Sequence, residues 1–234
     1  AVFEEIDDAG LEPDVVAYGA ALAAARAAGD SERCVGLAEQ MVERGVTPND
    51  HCVNELLQAC GRGGKWQLAV ELLREMTAGA SEHSGEAVPA ADAWSFATTI
   101  SALCEAPDRV GWHTAQQLLD QMDEVGLPPS TVAHNAALRV AARAAGRDSA
   151  HVMELLRRMQ SRGPPPDTIS YNTVLSTASK GGAWQYALEL LGKMEDAHSE
   201  GAPPLGTGGG SPASRSGSSI APDVVSYATA ISAC

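Results

Sequence analysis

Aromatic residues are scarce in this chain of 234 residues, at only 4% of the sequence, although hydrophobic residues of all kinds make up 44%. A core of this composition must be built largely from Leu, Val, Ile, Met and Ala. That favours closely packed helices over β-sheets, because sheets draw on aromatic and β-branched residues. Long apolar runs are also lacking. None approaches the roughly 20 residues that span a bilayer, which argues against an integral membrane protein.

Basic residues are few as well, with 16 Lys and Arg against 30 Asp and Glu and a formal net charge of −14. This balance argues against a protein that holds polyanions by bulk charge. Part of the charge is concentrated, because residues 1–14 contain six acidic residues and no basic one. Any binding of nucleic acid is therefore expected to rest on base contacts more than on phosphate contacts, with a shallow dependence on salt.

Motifs of catalytic, cofactor and metal sites are absent from the sequence. HExxH, GxGxxG and CxxC do not occur, and the segment GRGGKW at Gly61 lacks the first Gly and the Ser or Thr of a P-loop. The six histidines share no ligand spacing with Cys or carboxylates. We therefore predict that these residues form no enzyme active site and bind no metal or cofactor.

A repeat is the feature that the sequence does contain. Pro followed by a short polar residue recurs, and each copy is followed by a segment such as TISYNTVL from Thr168. Five of the six methionines end a second segment such as LLGKM. The markers are Pro13-Asp14, Pro48-Asn49, a looser Pro89 to Asp92, Pro129-Ser130, Pro166-Asp167 and Pro222-Asp223, with Met41, Met76, Met122, Met159 and Met194.

These markers divide the chain into repeats, of which the shortest has 35 residues and the others carry insertions. The chain is expected to be a fragment, because it starts and stops inside a repeat. The predicted ranges are 1–14 (end of a preceding repeat), 15–49 (repeat 1), 50–92 (repeat 2, insertion 77–91), 93–130 (repeat 3), 131–167 (repeat 4), 168–223 (repeat 5, disordered insertion 195–221) and 224–234 (start of a sixth).

Each copy predicts two helices. The first segment has apolar residues at helical spacing after a polar N-cap, a Gly-containing turn follows, and the second segment carries the Leu-Leu-x-x-Met stripe. One such hairpin is too small to bury its own apolar face, so neighbouring copies must stack. The predicted fold class is all-α, an α-solenoid of stacked helix-turn-helix hairpins of about 35 residues.

This repeat resembles the pentatricopeptide repeat. A V-x-Y-N-T-L-I opening, an A-L-E-L-L-x-x-M second helix and a G-x-x-P-D close are typical of that family, and repeat 5 is the clearest copy. The W-x-x-L-G-x-x-Y signature of the tetratricopeptide repeat is absent. The resemblance implies sequence-selective binding of single-stranded RNA, one base per repeat, in organellar RNA processing, stability, editing or translation. It also implies a mitochondrial or chloroplast location.

By this resemblance, each base is specified by position 5 of a repeat together with the terminal residue of the same repeat. An Asn/Asp pair favours uridine in the family, so repeats 2, 4 and 5 are expected to read U in a 5′-N-U-N-U-U-3′ preference. Insertions precede Asp92 and Asp223, which makes those two the less secure partners. The pairs are Gly19/Asn49, Asn54/Asp92, Ala97/Ser130, Asn135/Asp167 and Asn172/Asp223.

Two further sets of residues are candidates for RNA contacts. Position 2, which flanks the base in the family, is Val16, His51, Trp94, Val132 and Ile169, and an apolar or aromatic wall gives stacking of about 1–3 kcal/mol per base. The first helices end in cations that are phosphate-contact candidates, namely Arg26, Arg62, Arg143 and Lys180.

Structural interpretations of the same residues remain open. A cation at a helix C-terminus is favourable through the helix dipole, and Asp or Asn after Pro is a good N-cap that contributes about 1 kcal/mol without RNA. The alternative function is a protein-binding helical-repeat scaffold, which the acidic charge favours. Five cysteines without a framework indicate reduced thiols in an intracellular compartment, and no targeting peptide is predicted in these residues.

Overall fold

The helical hairpins predicted from the sequence are the basis of the fold. The structure, a computed structural model, describes residues 12–78, 89–145, 149–201 and 220–233. Over these ranges the regular elements are α-helices and one short 3-10 helix, without a strand, which confirms the all-α prediction. The helices form two units, residues 1–127 and 128–234, and each is described by itself below.

Unit 1 contains six of the helices found in the described ranges. Each first helix packs on the second helix of its own hairpin, and α3 packs on α1 and on α5, so that these three first helices form a row. The elements are α1 (Val15–Ala28), α2 (Ser31–Glu43), α3 (Asp50–Arg62), α4 (Trp66–Ala78), α5 (Ala93–Ala102), the 3-10 helix Leu103–Glu105 and α6 (Asp108–Glu124).

Unit 2 repeats this arrangement. Helix α9 contacts α7 on one side and α11 on the other, and the second helices α8 and α10 pack against this row. The elements are α7 (Thr131–Ala144), α8 (Ala150–Arg162), α9 (Thr168–Lys180), α10 (Trp184–Gly201) and α11 (Val224–Ala233).

The polar residue after each recurring Pro determines where the first helices begin. The Asp14 carboxylate accepts a hydrogen bond from the Ala17 backbone N–H at 2.8 Å, and this N-cap contact recurs at Asn49, Asp92, Ser130 and Asp167. It satisfies an N–H that has no partner inside the helix. Glycine then permits the turn after α1, where Gly29 has φ 77°, in the left-handed region that disfavours a side chain.

The recurring methionines lie in the core of both units. Met41, Met76, Met122, Met159 and Met194 are all buried, as is most of the Leu and Ala stripe around them. Cys34, Cys52 and Cys60 are buried too, and burial raises the pKa of the Cys60 thiol to about 11, so this thiol is protonated at neutral pH. No helix in the described ranges is long and apolar enough to cross a membrane.

Both predicted insertions begin inside a helix. Helix α4 continues to Ala78 and α10 to Gly201, beyond the predicted insertion starts at 77 and 195. The sequence EDAHSEG at 195–201 contains no Pro, and the first helix breaker of that kind is Pro203. The predicted boundary was therefore early by about two turns in repeat 5. Residues 79–88 and 202–219 lie outside the described residues, as do residues 1–11 of the predicted tail at 1–14.

Candidate nucleic-acid interface

The two residues predicted to specify a base in repeat 4 contact each other. Asn135 lies in the first two turns of α7, and Asp167 is the N-cap of α9. Because α7 packs on α9, the two side chains meet, and Asn135 Nδ2 donates to both carboxylate oxygens of Asp167 at 3.1 Å. The structure thus joins position 5 to the terminal residue of the same repeat.

Ser170, in the first turn of α9, completes a three-residue network in this repeat. Its hydroxyl donates to Asn135 Oδ1 at 2.6 Å, and its backbone N–H donates to Asp167 Oδ1 at 2.8 Å. The Asp167 backbone N–H in turn donates to Ser170 Oγ at 3.2 Å, which makes a capping box. Ser170 is fully buried, so the network is built into the helix start rather than spread over the surface.

Repeat 5 has the same network with its own residues. Asn172 Nδ2 donates to both oxygens of Asp223 at 3.2 Å, and Ser226 Oγ donates to Asn172 Oδ1 at 2.6 Å. Hydrogen bonds, above all from the Ser226 backbone N–H, hold the pKa of the Asp223 carboxyl below its ordinary value. Asp223 was expected to be a less secure partner because of the preceding insertion, yet it occupies the same place as Asp167.

The amide groups in these networks keep hydrogen-bonding capacity. A primary amide has two N–H donors and two acceptor lone pairs. Equal distances from Nδ2 to the two carboxylate oxygens fit one N–H shared by both, and the serine hydroxyl occupies one lone pair of Oδ1. Asn135 and Asn172 are half-buried, so each can offer one N–H and one lone pair to a ligand.

Exposed apolar side chains stand at position 2 in unit 2. Val132, Ile169 and Val225 are exposed to 67%, 61% and 57%. The sequence analysis named Val132 and Ile169 but not Val225, although the same register places Val225 at position 2 of the sixth repeat. Three exposed β-branched residues at one register position are not explained by packing within the unit.

Unit 1 carries the corresponding residues without the corresponding network. Among the described residues no hydrogen bond joins Asn54 to Asp92, and the Asp92 carboxylate instead accepts from the Ser95 N–H at 2.7 Å and the Ser95 hydroxyl at 2.9 Å. Repeat 1 has Gly19 at position 5, and a Cβ there would lie 3.1 Å from His51 Cδ2. Asn49 caps α3 through the Cys52 N–H at 2.9 Å.

The remaining predicted residues are placed as follows. Ala97 is buried in α5, so its methyl group cannot read a base edge. Ser130 belongs to unit 2 and caps α7 by accepting from the Ala133 N–H at 3.3 Å. In unit 1 the position-2 side chains of Val16, His51 and Trp94 are exposed.

The four phosphate-contact candidates divide into two groups. Arg26 forms an ion pair through Nε with the carboxylate of Glu55, whose side chain is only 9% exposed, so the Arg26 charge is already neutralised. Sequence reasoning missed Glu55, although an acidic residue at position 6 differs from the Ala or Thr of the other copies. Arg62, Arg143 and Lys180 are exposed at the ends of their helices.

The fold and the register define a class of protein built from stacked helical hairpins. The pentatricopeptide repeat domain model matches residues 1–63 and 117–181, and the PPR repeat model matches residues 52–78 and 169–198. These matches cover more than half of the sequence. The chain therefore belongs to the pentatricopeptide repeat family.

Solved structures support the same fold. The crystal structure of the pentatricopeptide repeat protein PPR10 from maize matches with a TM-score of 0.67 and 24% identity, over 98% of this chain and 28% of that chain. PPR10 in complex with an 18-nt psaJ RNA element matches with a TM-score of 0.68 and 22% identity, over 98% of this chain and 29% of that one. The chain thus spans less than a third of the length of PPR10. No curated protein matches it significantly.

Proposed function

We propose that this chain binds single-stranded RNA base-selectively, and that Asn135 with Asp167 and Asn172 with Asp223 each read a uracil. The observation that carries the proposal is the pair of identical Asn–Asp–Ser networks in neighbouring repeats of unit 2. Family membership, together with the RNA bound to PPR10, supports RNA as the ligand. The binding is proposed as non-catalytic.

Uracil suits the hydrogen-bonding groups that the networks leave free. Its Watson–Crick edge presents an acceptor, O4, beside a donor, N3–H. The amide N–H that the carboxylate leaves free can donate to O4, whereas cytosine has an amino donor at that place. Two such contacts in neighbouring repeats predict a preference for two successive uracils.

Position 2 supplies the walls of each base site in this proposal. Val132, Ile169 and Val225 come at successive repeat starts, and each is exposed. Stacking or apolar contact with a base contributes about 1–3 kcal/mol and tolerates any base, so these residues supply affinity while the amides supply selectivity. The extra wall at Val225 gives the base of repeat 5 a neighbour on both sides.

Phosphate contacts make a smaller contribution in this proposal. Arg143 and Lys180 lie at the ends of α7 and α9, and the net charge of −14 opposes general attraction of a polyanion. Few neutralised phosphates give a shallow slope of log affinity against log salt. The finer biological setting that we propose is RNA processing, stability, editing or translation in a mitochondrion or chloroplast.

The test is fluorescence anisotropy with short RNAs that differ only in two adjacent bases. We expect a UU-containing RNA to bind more tightly than the same RNA with CC or AA. Asn172→Thr should move the preference at one base from U to G, as the family resemblance implies. Asn54→Ala serves as the matched control, because Asn54 belongs to no network in the described structure. Equal binding of all RNAs contradicts the proposal.

A protein-binding scaffold is the second candidate function, favoured by the net charge of −14. An acidic surface repels RNA backbone but can face a basic protein partner. The RNA titration separates the two functions. A scaffold shows no base preference, and any residual RNA binding disappears as salt is raised.

A further inference from the structure

We infer that Ser170 and Ser226 are positioning residues that select uracil over cytosine, although neither needs to touch the base. Each belongs to the repeat after the one whose base it influences: Ser170 acts on Asn135, and Ser226 acts on Asn172. This inference rests on the proposed function and deepens it. It states which group fixes the direction of the reading amide.

The direction of the amide matters because uracil and cytosine present opposite orders of groups. Uracil has the acceptor O4 beside the donor N3–H. Cytosine has the N4 amino donor beside the acceptor N3. For a base held in one place, the free N–H of Nδ2 can donate to O4 of uracil. The N4 amino group of cytosine is a donor at the same place and needs Oδ1 there, which requires the amide turned by 180°. A locked amide discriminates between the two pyrimidines, and a free one does not.

The carboxylate of Asp167 fixes the nitrogen end of the Asn135 amide. Nδ2 lies 3.1 Å from both carboxylate oxygens, and a turned amide would place Oδ1 against them instead. Two acceptors would then face each other, which is unfavourable. Asp223 has the same relation to Asn172 at 3.2 Å.

The Ser170 hydroxyl fixes the oxygen end of the Asn135 amide. Ser170 Oγ carries one proton and has two acceptors in reach, Asn135 Oδ1 at 2.6 Å and Asp167 Oδ1 at 2.9 Å. Asn135 Oδ1 carries no proton, so two oxygens at 2.6 Å require the Ser170 proton between them, and this proton lies toward Asn135. Turning the amide would break this bond as well as the bond to Asp167.

Ser95 is the equivalent serine in unit 1, and among the described residues it caps its helix without a hydrogen bond to the asparagine amide at position 5. It forms a capping box with Asp92, as Ser170 does with Asp167, and it is equally buried. Its hydroxyl lies 2.9 Å from both the backbone oxygen and Oδ1 of Asp92, and within the described structure it makes no hydrogen bond to Asn54. Ser95→Ala therefore removes the capping hydroxyl alone, while Ser170→Ala removes the cap and the contact to the amide.

The experiment measures the affinity ratio of U to C at the base of repeat 4 and at the base of repeat 5. We expect Ser170→Ala to reduce the ratio about 2- to 10-fold at the base of repeat 4 only, which corresponds to one neutral hydrogen bond. Ser226→Ala should do the same at the base of repeat 5 only. Ser95→Ala should also lower the melting temperature, because it removes a capping hydroxyl, but it should leave both ratios unchanged.

A second measurement does not need RNA. In the free protein, the side-chain NH2 resonances of Asn135 should change in Ser170→Ala while those of Asn172 stay, and Ser226→Ala should show the reverse. The inference is overturned if Ser170→Ala alters the ratio no more than Ser95→Ala does, or if the Asn135 resonances are unaffected. A wild-type chain with no U preference instead refutes the proposed function, and the resonances then still report on the amide lock.

Discussion

The two units contain the same residue types at the starts of their first helices, but the side chains are connected differently. In unit 2, Asn135 and Asn172 are each held by an Asp and a Ser. In unit 1, Asn54, Asp92 and Ser95 match them in kind and in register, but Asn54 has no hydrogen bond to the other two in the described structure. Identical residues at identical positions are therefore not sufficient to close the network.

The length of the preceding insertion does not explain this difference. Repeat 5 has the longer insertion before its terminal Asp, and its network is closed. Repeat 2 has the shorter insertion, and its network is open. Both first-helix pairs, α3 with α5 and α9 with α11, are packed together. The difference thus lies in the side chains, not in whether neighbouring helices meet.

The two units also differ at the C-terminal ends of their first helices. In unit 1 Arg26 pairs with the buried Glu55, whereas in unit 2 Lys180 is exposed at the end of its helix and has no ion-pair partner among the described residues. Arg26 of unit 1 therefore contributes to folding, and Lys180 of unit 2 is available to a ligand. The following predictions test this contrast.

The largest effect is expected from Arg26→Ala. The change leaves the Glu55 carboxylate buried without its partner, which should lower the free energy of unfolding of unit 1 by about 2–3 kcal/mol. Lys180→Ala, the counterpart in unit 2, should change stability by less than about 0.5 kcal/mol. Urea unfolding of both variants measures the difference. Equal stabilities would show that the Arg26–Glu55 pair contributes nothing to the fold.

Removing the reading amides should have the next largest effect, on RNA binding. Asn135→Ala or Asn172→Ala should each weaken binding of a UU-containing RNA by about 1–3 kcal/mol, because the hydrogen bond to the base is lost and its acceptor is left unpaired. Asn54→Ala should cost less, since its amide is not held in a fixed direction. Anisotropy titrations at fixed salt test this order. If Asn54→Ala proves the most harmful, the unit 1 site is the main reader and the contrast is reversed.

The sequence allowed much of this to be predicted. Periodic Pro-Asp and Leu-Leu-x-x-Met markers predicted the hairpins and the all-α fold, and the N-cap contacts at Asp14 and Asp167 follow from short polar side chains at helix starts. Position 5 and the terminal residue could be paired only through the family resemblance. Their contact in the structure is consistent with that pairing, but their base-reading role stays a prediction.

Other features depend on contacts between residues far apart in the chain. The Arg26–Glu55 pair and the bond from Ser170 to Asn135 join residues 29 and 35 positions apart, and no local pattern indicates them. The open site at Asn54 is likewise invisible in a sequence that has every residue for a closed one. The early insertion boundary in repeat 5 came from composition, which does not show that a helix runs on to Gly201.

A third prediction concerns the N-cap residues. Only in unit 2 do they have a role in RNA binding as well as in stability. Asp167→Ala and Asp92→Ala each remove an N-cap and should each cost about 1 kcal/mol of stability. Asp167→Ala also leaves the Asn135 amide free to turn, so it should reduce the U-to-C affinity ratio as well. Asp92→Ala should leave that ratio unchanged. Thermal unfolding and anisotropy on the same two variants separate the roles.

The smallest effect is a dependence on acid at the repeat 5 network. Hydrogen bonds from Ser226 and Asn172 hold the pKa of Asp223 below its ordinary value of 3.8. A lowered pKa in the folded state means that the Asp223 carboxylate stabilises the fold above about pH 4, and that this contribution is lost as the pH falls below the ordinary value. Because Asp223 is exposed, the effect on global stability should be slight. NMR titration of the Asp223 carboxyl should give a midpoint below 3.8. Ser226→Ala should leave the midpoint below that value, because the backbone N–H of residue 226 still donates to the carboxylate. A midpoint that rises to 3.8 in Ser226→Ala would mean that the hydroxyl proton lies on Asp223 and not on Asn172, and the amide lock of repeat 5 would lose one of its supports.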